Sequence, residues 1–264
     1  MELRLGVLAL VALAVMAQNP PAGEAPGIFS LEKEALIGVR IAEGVRKDAT
    51  VMESVAAREY IQQIGQNLAA QMPASGLTYT FELVAESEGL MHEPAVAPGG
   101  HIFVPAPLFL SVESESEFAG VLAHSVAHAA GRHSVRLVQP GPVTPPSKIP
   151  LMVVIHLRNS IVPLGYVEPL REFELEADRL AMQAMARAGY EPAALCRYAT
   201  RMQGADAQDP HAPIPPRQAR LANLEQALAT LAPNERTSNS GEFEKIRREL
   251  RALLARTPPR PSLR

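Results

Sequence analysis

The chain has 264 residues, a formal net charge of −3 and an apolar fraction of 47%. This length and composition suit one globular domain, with or without short appendages. The nearly balanced charge gives no reason to expect nucleic acid or an anionic membrane as the main partner. The single cysteine, Cys196, excludes an internal disulfide framework and any cysteine-based zinc cluster.

Residues 1–17 have the pattern of a secretory signal peptide. Arg4 supplies a positive start, an apolar stretch runs from Leu5 to Met16, and Ala17 suits cleavage before Gln18. The stretch of roughly 12 residues is shorter than the roughly 20 that a spanning helix needs. We therefore expect a periplasmic or secreted protein that is cleaved after Ala17. It would meet the membrane only through a signal segment that stays uncleaved.

After a leader at residues 18–28, the pattern predicts one α+β domain over 29–256, mostly helical with a small mixed sheet. The predicted helices lie at 31–45, 55–72, 114–131, 170–188, from 192 onward, at 217–231 and at 242–254, and the predicted strands at 77–84 and 101–105. Seven prolines make 137–169 a long irregular excursion, which we interpret as a lid over a cleft. The composition of 257–264 predicts a disordered tail.

One predicted helix carries two histidines one turn apart. His124 and His128 share a helix face, in a segment without formal charge from Phe118 to Gly131. Two imidazoles placed in this way can bind one Zn²⁺ together with a third protein ligand. In an H-E-x-x-H helix, the glutamate after the first histidine accepts a proton from the attacking water. Here that position is Ser125.

The helix predicted at 170–188 offers the third ligand. Glu172 and Glu176 fall on a polar stripe that faces water, whereas Glu174 and Asp178 fall on the stripe that faces the core. A buried carboxylate requires a partner. We predict that Glu174 binds zinc and that Asp178 accepts the second N–H of a ligand imidazole. Either pair alone is more often a core or surface feature, but their joint occurrence favours a metal site.

Further motifs occur in the order that one known family shows. They are Pro98-Gly99-Gly100 with the strand after it, Glu115-x-Glu117-Phe118-Ala119-Gly120-Val121-Leu122-Ala123-His124 with His128, Glu174-Leu-Glu-Ala-Asp178, Ala188-Gly189-Tyr190-Glu191-Pro192, and His211 with Arg217 six residues later. By this set, the chain resembles the gluzincin-type zinc metallopeptidases that include BepA, HtpX, the mitochondrial Oma-type proteases and the CAAX prenyl endopeptidases. The resemblance extends from about Phe29 to Leu254.

The resemblance implies the same three zinc ligands and the same orienting aspartate that the helical stripes indicate. It also implies that His211 can approach the metal and hold the site closed, and that Arg217 is the arginine of that segment. The strand His101–Pro105 resembles the family's edge strand, which would pair with an extended or unfolded polypeptide by β-augmentation.

Two positions depart from the family pattern: Ser125 replaces the catalytic glutamate, and Glu93 stands where a loop asparagine is usual. A positioned general base contributes roughly 10²–10⁴-fold to a rate, and a serine hydroxyl is not a base at neutral pH. We therefore predict a pseudopeptidase that binds proteins, or acts in their quality control, in the envelope. The alternative is an active zinc endopeptidase that cleaves unfolded or misassembled envelope proteins with a substitute base such as Glu93. A metal-free protein with two core histidines is the least favoured reading.

Overall fold

A computed structural model describes residues 30–48, 52–85, 93–136, 154–157, 160–163, 167–203, 214–232 and 239–256. The predicted α+β class is confirmed, because helices surround a small mixed sheet. The described helices are α1 (Leu31–Asp48), α2 (Val55–Ala69), α3 (Leu108–Ser111), α4 (Glu115–Ala130), α5 (His133–Arg136), α6 (Val167–Arg187), α7 (Ala193–Met202), α8 (Arg217–Ala229) and α9 (Gly241–Leu254). The described strands are β1 (Thr80–Val84), β2 (Ala95–Ala97), β3 (His101–Pro105), β4 (Val154–Leu157) and β5 (Ser160–Pro163), and a 3₁₀ turn covers Pro98–Gly100.

None of the helices in these stretches combines the length and the apolar character that a membrane span requires. The predicted signal segment, the leader, His211 and the predicted tail lie outside the described residues.

The three-stranded sheet has the order β1-β3-β2, so His101–Pro105 is its central strand. β3 runs parallel to β1, with Thr80 opposite His101, and antiparallel to β2, with Ala97 opposite His101. The prediction that His101–Pro105 is an edge strand is therefore wrong. The reason is β2, whose three residues are too few to show a strand pattern in the sequence. Among the described strands β2 forms the open edge beside α4, against which it packs.

The predicted irregular excursion contains regular structure. β4 and β5 form an antiparallel hairpin in which Val154 lies opposite Pro163. α6 begins at Val167, three residues before the predicted Leu170. Pro169 lies within its first turn, where a missing backbone N–H leaves no hydrogen bond unmade. The excursion is thus not irregular throughout, and its role as a lid stays a prediction.

Helix α4 runs through the centre of the domain and begins one residue after the predicted start at 114, with Ser114 as its N-cap. The Ser114 hydroxyl accepts a hydrogen bond from the Glu117 backbone N–H at 3.1 Å. The Glu117 carboxylate accepts one from the backbone N–H of Glu113 at 2.8 Å, which is the return bond of a capping box displaced by one residue. Most of its side chains from Phe118 onward are apolar, and α4 is buried on nearly every face.

Close helix packing brings α6 against α4. A Cβ added at Gly120 would lie 3.2 Å from atoms of Met185 and Leu195, which is tighter than most packed contacts. The absence of a side chain at Gly120 therefore allows α6 and α7 to approach the metal-site helix. A cluster of aromatic rings supports the same helix near its N-terminus, with the ring centroids of Phe109 and Phe118 4.2 Å apart. Phe243 of α9 is fully buried in this cluster.

Candidate metal centre

Three side chains from α4 and α6 point their donor atoms at one small volume. Nε2 of His124 lies 3.0 Å from Nε2 of His128. The Glu174 carboxylate oxygens lie 3.3 Å from Nε2 of His124 and 3.4 Å from Nε2 of His128. Among the described residues, these three form the group of histidine, cysteine and acidic side chains able to hold one metal ion. The predicted ligands thus come together as the helical stripes require.

The spacing of these atoms fits a zinc ion. Tetrahedral coordination with bonds of about 2.0–2.1 Å places ligand atoms about 3.3–3.4 Å from one another. The two Nε2 atoms lie 3.0 Å apart, and each lies 3.3 or 3.4 Å from a different oxygen of the Glu174 carboxylate, so the separations are close to this value. Two imidazoles and one carboxylate are also the donor set of many catalytic zinc sites, in which a fourth position stays open.

His124 is held by a carboxylate on its far side. Its Nδ1 lies 2.9 Å from Oδ1 of Asp178, which is fully buried. Burial opposes the charged imidazole, but hydrogen bonds to Asp178 and Glu174 outweigh it and raise the pKa of His124 to about 10. Burial acts on Asp178 in the same sense, yet His124 and Arg220 hold the pKa of its carboxyl below its usual value. Asp178 therefore stays ionised and fixes the ring of His124.

Arg220 completes this side of the site. Its Nε and Nη2 donate to the two Asp178 oxygens at 2.8 and 3.0 Å, and the residue is 7% exposed. Such a bidentate bond is strong and geometrically specific. Nothing in the sequence singles out Arg220. Arg217, which the family resemblance indicates, donates through Nη2 to the Thr200 carbonyl oxygen at 3.2 Å instead.

His128 has different neighbours, and its pKa is shifted in the opposite direction to that of His124. Burial lowers its pKa to about 4, although the charge of Glu174 acts in the other direction. Its Nδ1 lies 3.0 Å from Nδ1 of His133. His133 is 3% exposed and stacks on Phe173 with 4.4 Å between ring centroids. No spacing or motif in the sequence relates His133 to the metal ligands, and its contact with His128 appears only in the structure.

Ser125 lies on α4 between the two ligand histidines, and its hydroxyl is engaged within the helix. Its Oγ donates to the Val121 carbonyl oxygen at 3.1 Å, and the residue is 3% exposed. Bonds of this kind to the preceding turn are common for serine in helices. The hydroxyl proton is therefore used by the backbone, and none of the described residues places a carboxylate at the position of a general base.

Glu93 is exposed, and its charge contributes to the raised pKa values of Arg220 and Tyr198. In the part of the chain that the structure describes, no hydrogen bond or ion pair joins Glu93 to the three ligands. Its role as a substitute base, like the roles of His211 and Arg217, stays a prediction.

Several known proteins are similar to this chain in sequence. A Vibrio cholerae serotype O1 protein, whose name marks it as a provisional beta-barrel assembly-enhancing protease, is 26% identical over 217 residues, or 74% of this chain and 44% of that protein. The beta-barrel assembly-enhancing protease of Yersinia pestis is 24% identical over 199 residues, or 69% of this chain and 40% of that protein. The mitochondrial metalloendopeptidase OMA1 of Saccharomyces cerevisiae is 30% identical over 101 residues, or 37% of this chain and 29% of that protein.

The chain thus spans less than half the length of each of these relatives. The sequence model of the protein family described as Peptidase family M48 matches residues 56–145 and 146–228, which together are well over half of the chain. These matched residues include both histidines of α4 and both core-facing carboxylates of α6. The chain therefore belongs to peptidase family M48.

Proposed function

We propose that this protein binds zinc through His124, His128 and Glu174 and has little or no peptidase activity. The convergence of the three donor atoms supports the zinc site. The buried hydroxyl of Ser125, in the place of a general base, supports the loss of hydrolysis. M48 metallopeptidases are zinc-dependent, so the family match supports the choice of metal.

The residues around the site keep the features of a peptidase except for proton transfer. When bound, zinc would supply Lewis-acid polarisation of a peptide carbonyl. Asp178 orients His124, and Arg220 holds Asp178 ionised. No carboxylate takes the place of the missing base in the described part of the site. A positioned base contributes roughly 10²–10⁴-fold, so we expect hydrolysis to be slow by about that factor.

Without hydrolysis, the role that we propose for this protein is to bind polypeptide. β2 packs against α4, and no other described strand pairs with its outer side. An extended or unfolded segment could add there as a further strand, with main-chain hydrogen bonds as the source of affinity. We therefore propose an extended or unfolded polypeptide as the partner, bound along β2 rather than β3.

We place this role in the cell envelope. The signal-like pattern of residues 1–17 favours export, and two of the relatives described above are named for the assembly of β-barrel proteins. A quality-control role, in which a misassembled envelope protein is held rather than cut, fits both features. Cell fractionation of the tagged full chain tests the location.

The activity is tested by comparing wild type with the Ser125→Glu and Ser125→Ala variants. Each is loaded with zinc and incubated with casein or an unfolded protein. We expect negligible turnover for wild type and Ser125→Ala, and a gain for Ser125→Glu, which restores the base. Zinc content and melting temperature show whether the glutamate is accommodated at this buried position.

A second candidate is an active zinc endopeptidase. The complete ligand triad favours it. The candidate base is the exposed carboxylate of Glu93, whose negative charge helps to raise the pKa of Arg220. If wild type cleaves readily and Glu93→Gln abolishes cleavage, this candidate replaces the pseudopeptidase. Zinc binding should be unchanged in Glu93→Gln, which separates a loss of catalysis from a loss of metal.

A further inference from the structure

We propose that His133 is a positioning residue that fixes His128 for metal binding. This inference rests on the zinc site proposed above. Nδ1 of His128 and Nδ1 of His133 lie 3.0 Å apart. At this distance one nitrogen donates and the other accepts.

The metal decides which nitrogen donates. To bind a metal through Nε2, a neutral His128 must carry its proton on Nδ1. Nδ1 of His133 must then be the acceptor, so the proton of His133 lies on its Nε2. Oε2 of Glu176 lies 3.4 Å from this Nε2, which is longer than a well-formed hydrogen bond. His133 thus lies between a metal ligand and a partly exposed carboxylate.

The surroundings hold the His133 ring in this orientation. Its plane lies 7° from that of Phe173, and the guanidinium of Arg136 covers the Phe173 ring at 4.6 Å from its centroid. A Cβ at position 131 would lie 2.4 Å from Nε2 of His133, so Gly131 leaves room for the ring. Arg136 also contacts Glu176 at 3.0 Å. Packing of this kind limits rotation of the ring and preserves the contact between the two histidines.

A purely structural role does not account for the chemistry at this position. Phe173 could stack equally well on another aromatic ring, whereas the described partner of Nδ1 is a ligand imidazole. Partners of ligand histidines orient the ring and set its tautomer, and their loss typically costs about 10–100-fold in metal affinity. We expect a loss in that range when His133 can no longer accept a hydrogen bond at the position of Nδ1.

Three substitutions test this role in the full chain. His133→Asn places an amide oxygen near the position of Nδ1, and His133→Gln places the same group one methylene further out. His133→Phe keeps the stacking and removes both nitrogens. The zinc dissociation constant is measured by competition with a chromogenic chelator, and the visible spectrum of the Co²⁺-loaded protein reports on coordination. His101→Phe is the control, because it removes a histidine from β3 outside the ligand group.

We expect His133→Asn and His101→Phe to bind zinc nearly as well as wild type, and His133→Gln and His133→Phe to bind about 10–100-fold more weakly. The Co²⁺ bands should change only in the two weak variants. Equal affinity for the Asn and Gln variants, with wild-type spectra, overturns the positioning role even if His133→Phe fails to fold. A wild-type protein that binds no zinc overturns the metal site, and this inference with it.

Discussion

The two ligand histidines of α4 have the same side chain but different surroundings. His124 contacts a fully buried carboxylate directly, and a buried arginine holds that carboxylate. His128 contacts a second imidazole, and the carboxylate beyond it is 33% exposed. The first side is enclosed and charged, whereas the second is built from neutral rings that lead to the surface. Two histidines four residues apart on one helix therefore have pKa values shifted in opposite directions, raised for His124 and lowered for His128.

This difference gives the two sides different tasks. The raised pKa of His124 means that, without metal, this imidazole carries a proton that Asp178 and Glu174 stabilise. The lowered pKa of His128 means that its ring stays neutral and able to accept a metal. We infer that the His124 side maintains the fold of the empty site, while the His128 side is already suited to bind the ion.

The largest expected effect is on the His124 side. Asp178→Asn removes the charge that balances Arg220 and leaves a buried guanidinium with a neutral partner. Breaking a buried ion pair in this way costs about 3–5 kcal/mol. We expect this loss in the free energy of unfolding, measured by denaturant titration in a chelator, together with a large loss of zinc affinity.

The matched control is Glu172→Gln on the same helix, because Glu172 is exposed. It should change the free energy of unfolding by less than about 0.5 kcal/mol, as is usual for surface substitutions. A loss of less than about 1 kcal/mol for Asp178→Asn would show that Arg220 finds solvent or another acceptor. The contrast between an enclosed and an open side would then be wrong.

The elements of this fold were largely predictable because their patterns are local. Helix α4 follows from its capping serine, and β3 was predicted at its observed bounds. The position of β3 within the sheet was not predictable, because it depends on β2, which has only three residues. The pattern places the start of this helix after Pro169, whereas α6 begins at Val167, because the first turn of a helix tolerates proline.

The ligand set was predicted from the sequence, but its supporting residues were only partly found. Spacing on one helix selects Glu174 and Asp178 over Glu172, because the period of the helix fixes which side faces the core. Arg220 and His133 reach the site from other elements, and no periodicity relates them to the ligands. A buried Asp178 implies a cation, yet Arg217 and Arg220 lie about one turn apart, so the sequence alone cannot choose between them.

A second prediction concerns the stability of the metal-free protein against pH. The pKa of His124 is raised from 6.5 to about 10, so its contribution is complete below pH 6.5 and is lost as the pH rises towards 10. The pKa values of His128 and His133 are lowered from 6.5 to about 4 and about 2. Because the unfolded chain takes up these protons first, stability also falls as the pH drops below 6.5.

We therefore expect the melting temperature in excess chelator to peak near pH 6.5 and to fall on both sides. The alkaline decrease belongs to His124 and should be much smaller in His124→Gln. The acid decrease belongs to the His128 side, with a further contribution below pH 4 as Glu174 and Asp178 take up protons. A wild-type melting temperature that stays level from pH 7 to pH 10 would contradict the charged state of His124.

The smallest effect is expected on the His128 side, at Glu176. This carboxylate is 33% exposed, and its contacts to Arg136 and His133 are 3.0 and 3.4 Å. Because Glu176 is partly exposed and its contact to His133 is longer than a hydrogen bond, Glu176→Gln should cost less than about 1 kcal/mol. The zinc dissociation constant should rise far less than in His133→Gln. If Glu176→Gln weakens zinc binding as much as Asp178→Asn does, the surface carboxylate is as important as the buried one. The tautomer of His128 would then depend on the whole connection from the metal to the surface, rather than on the enclosed ring of His133.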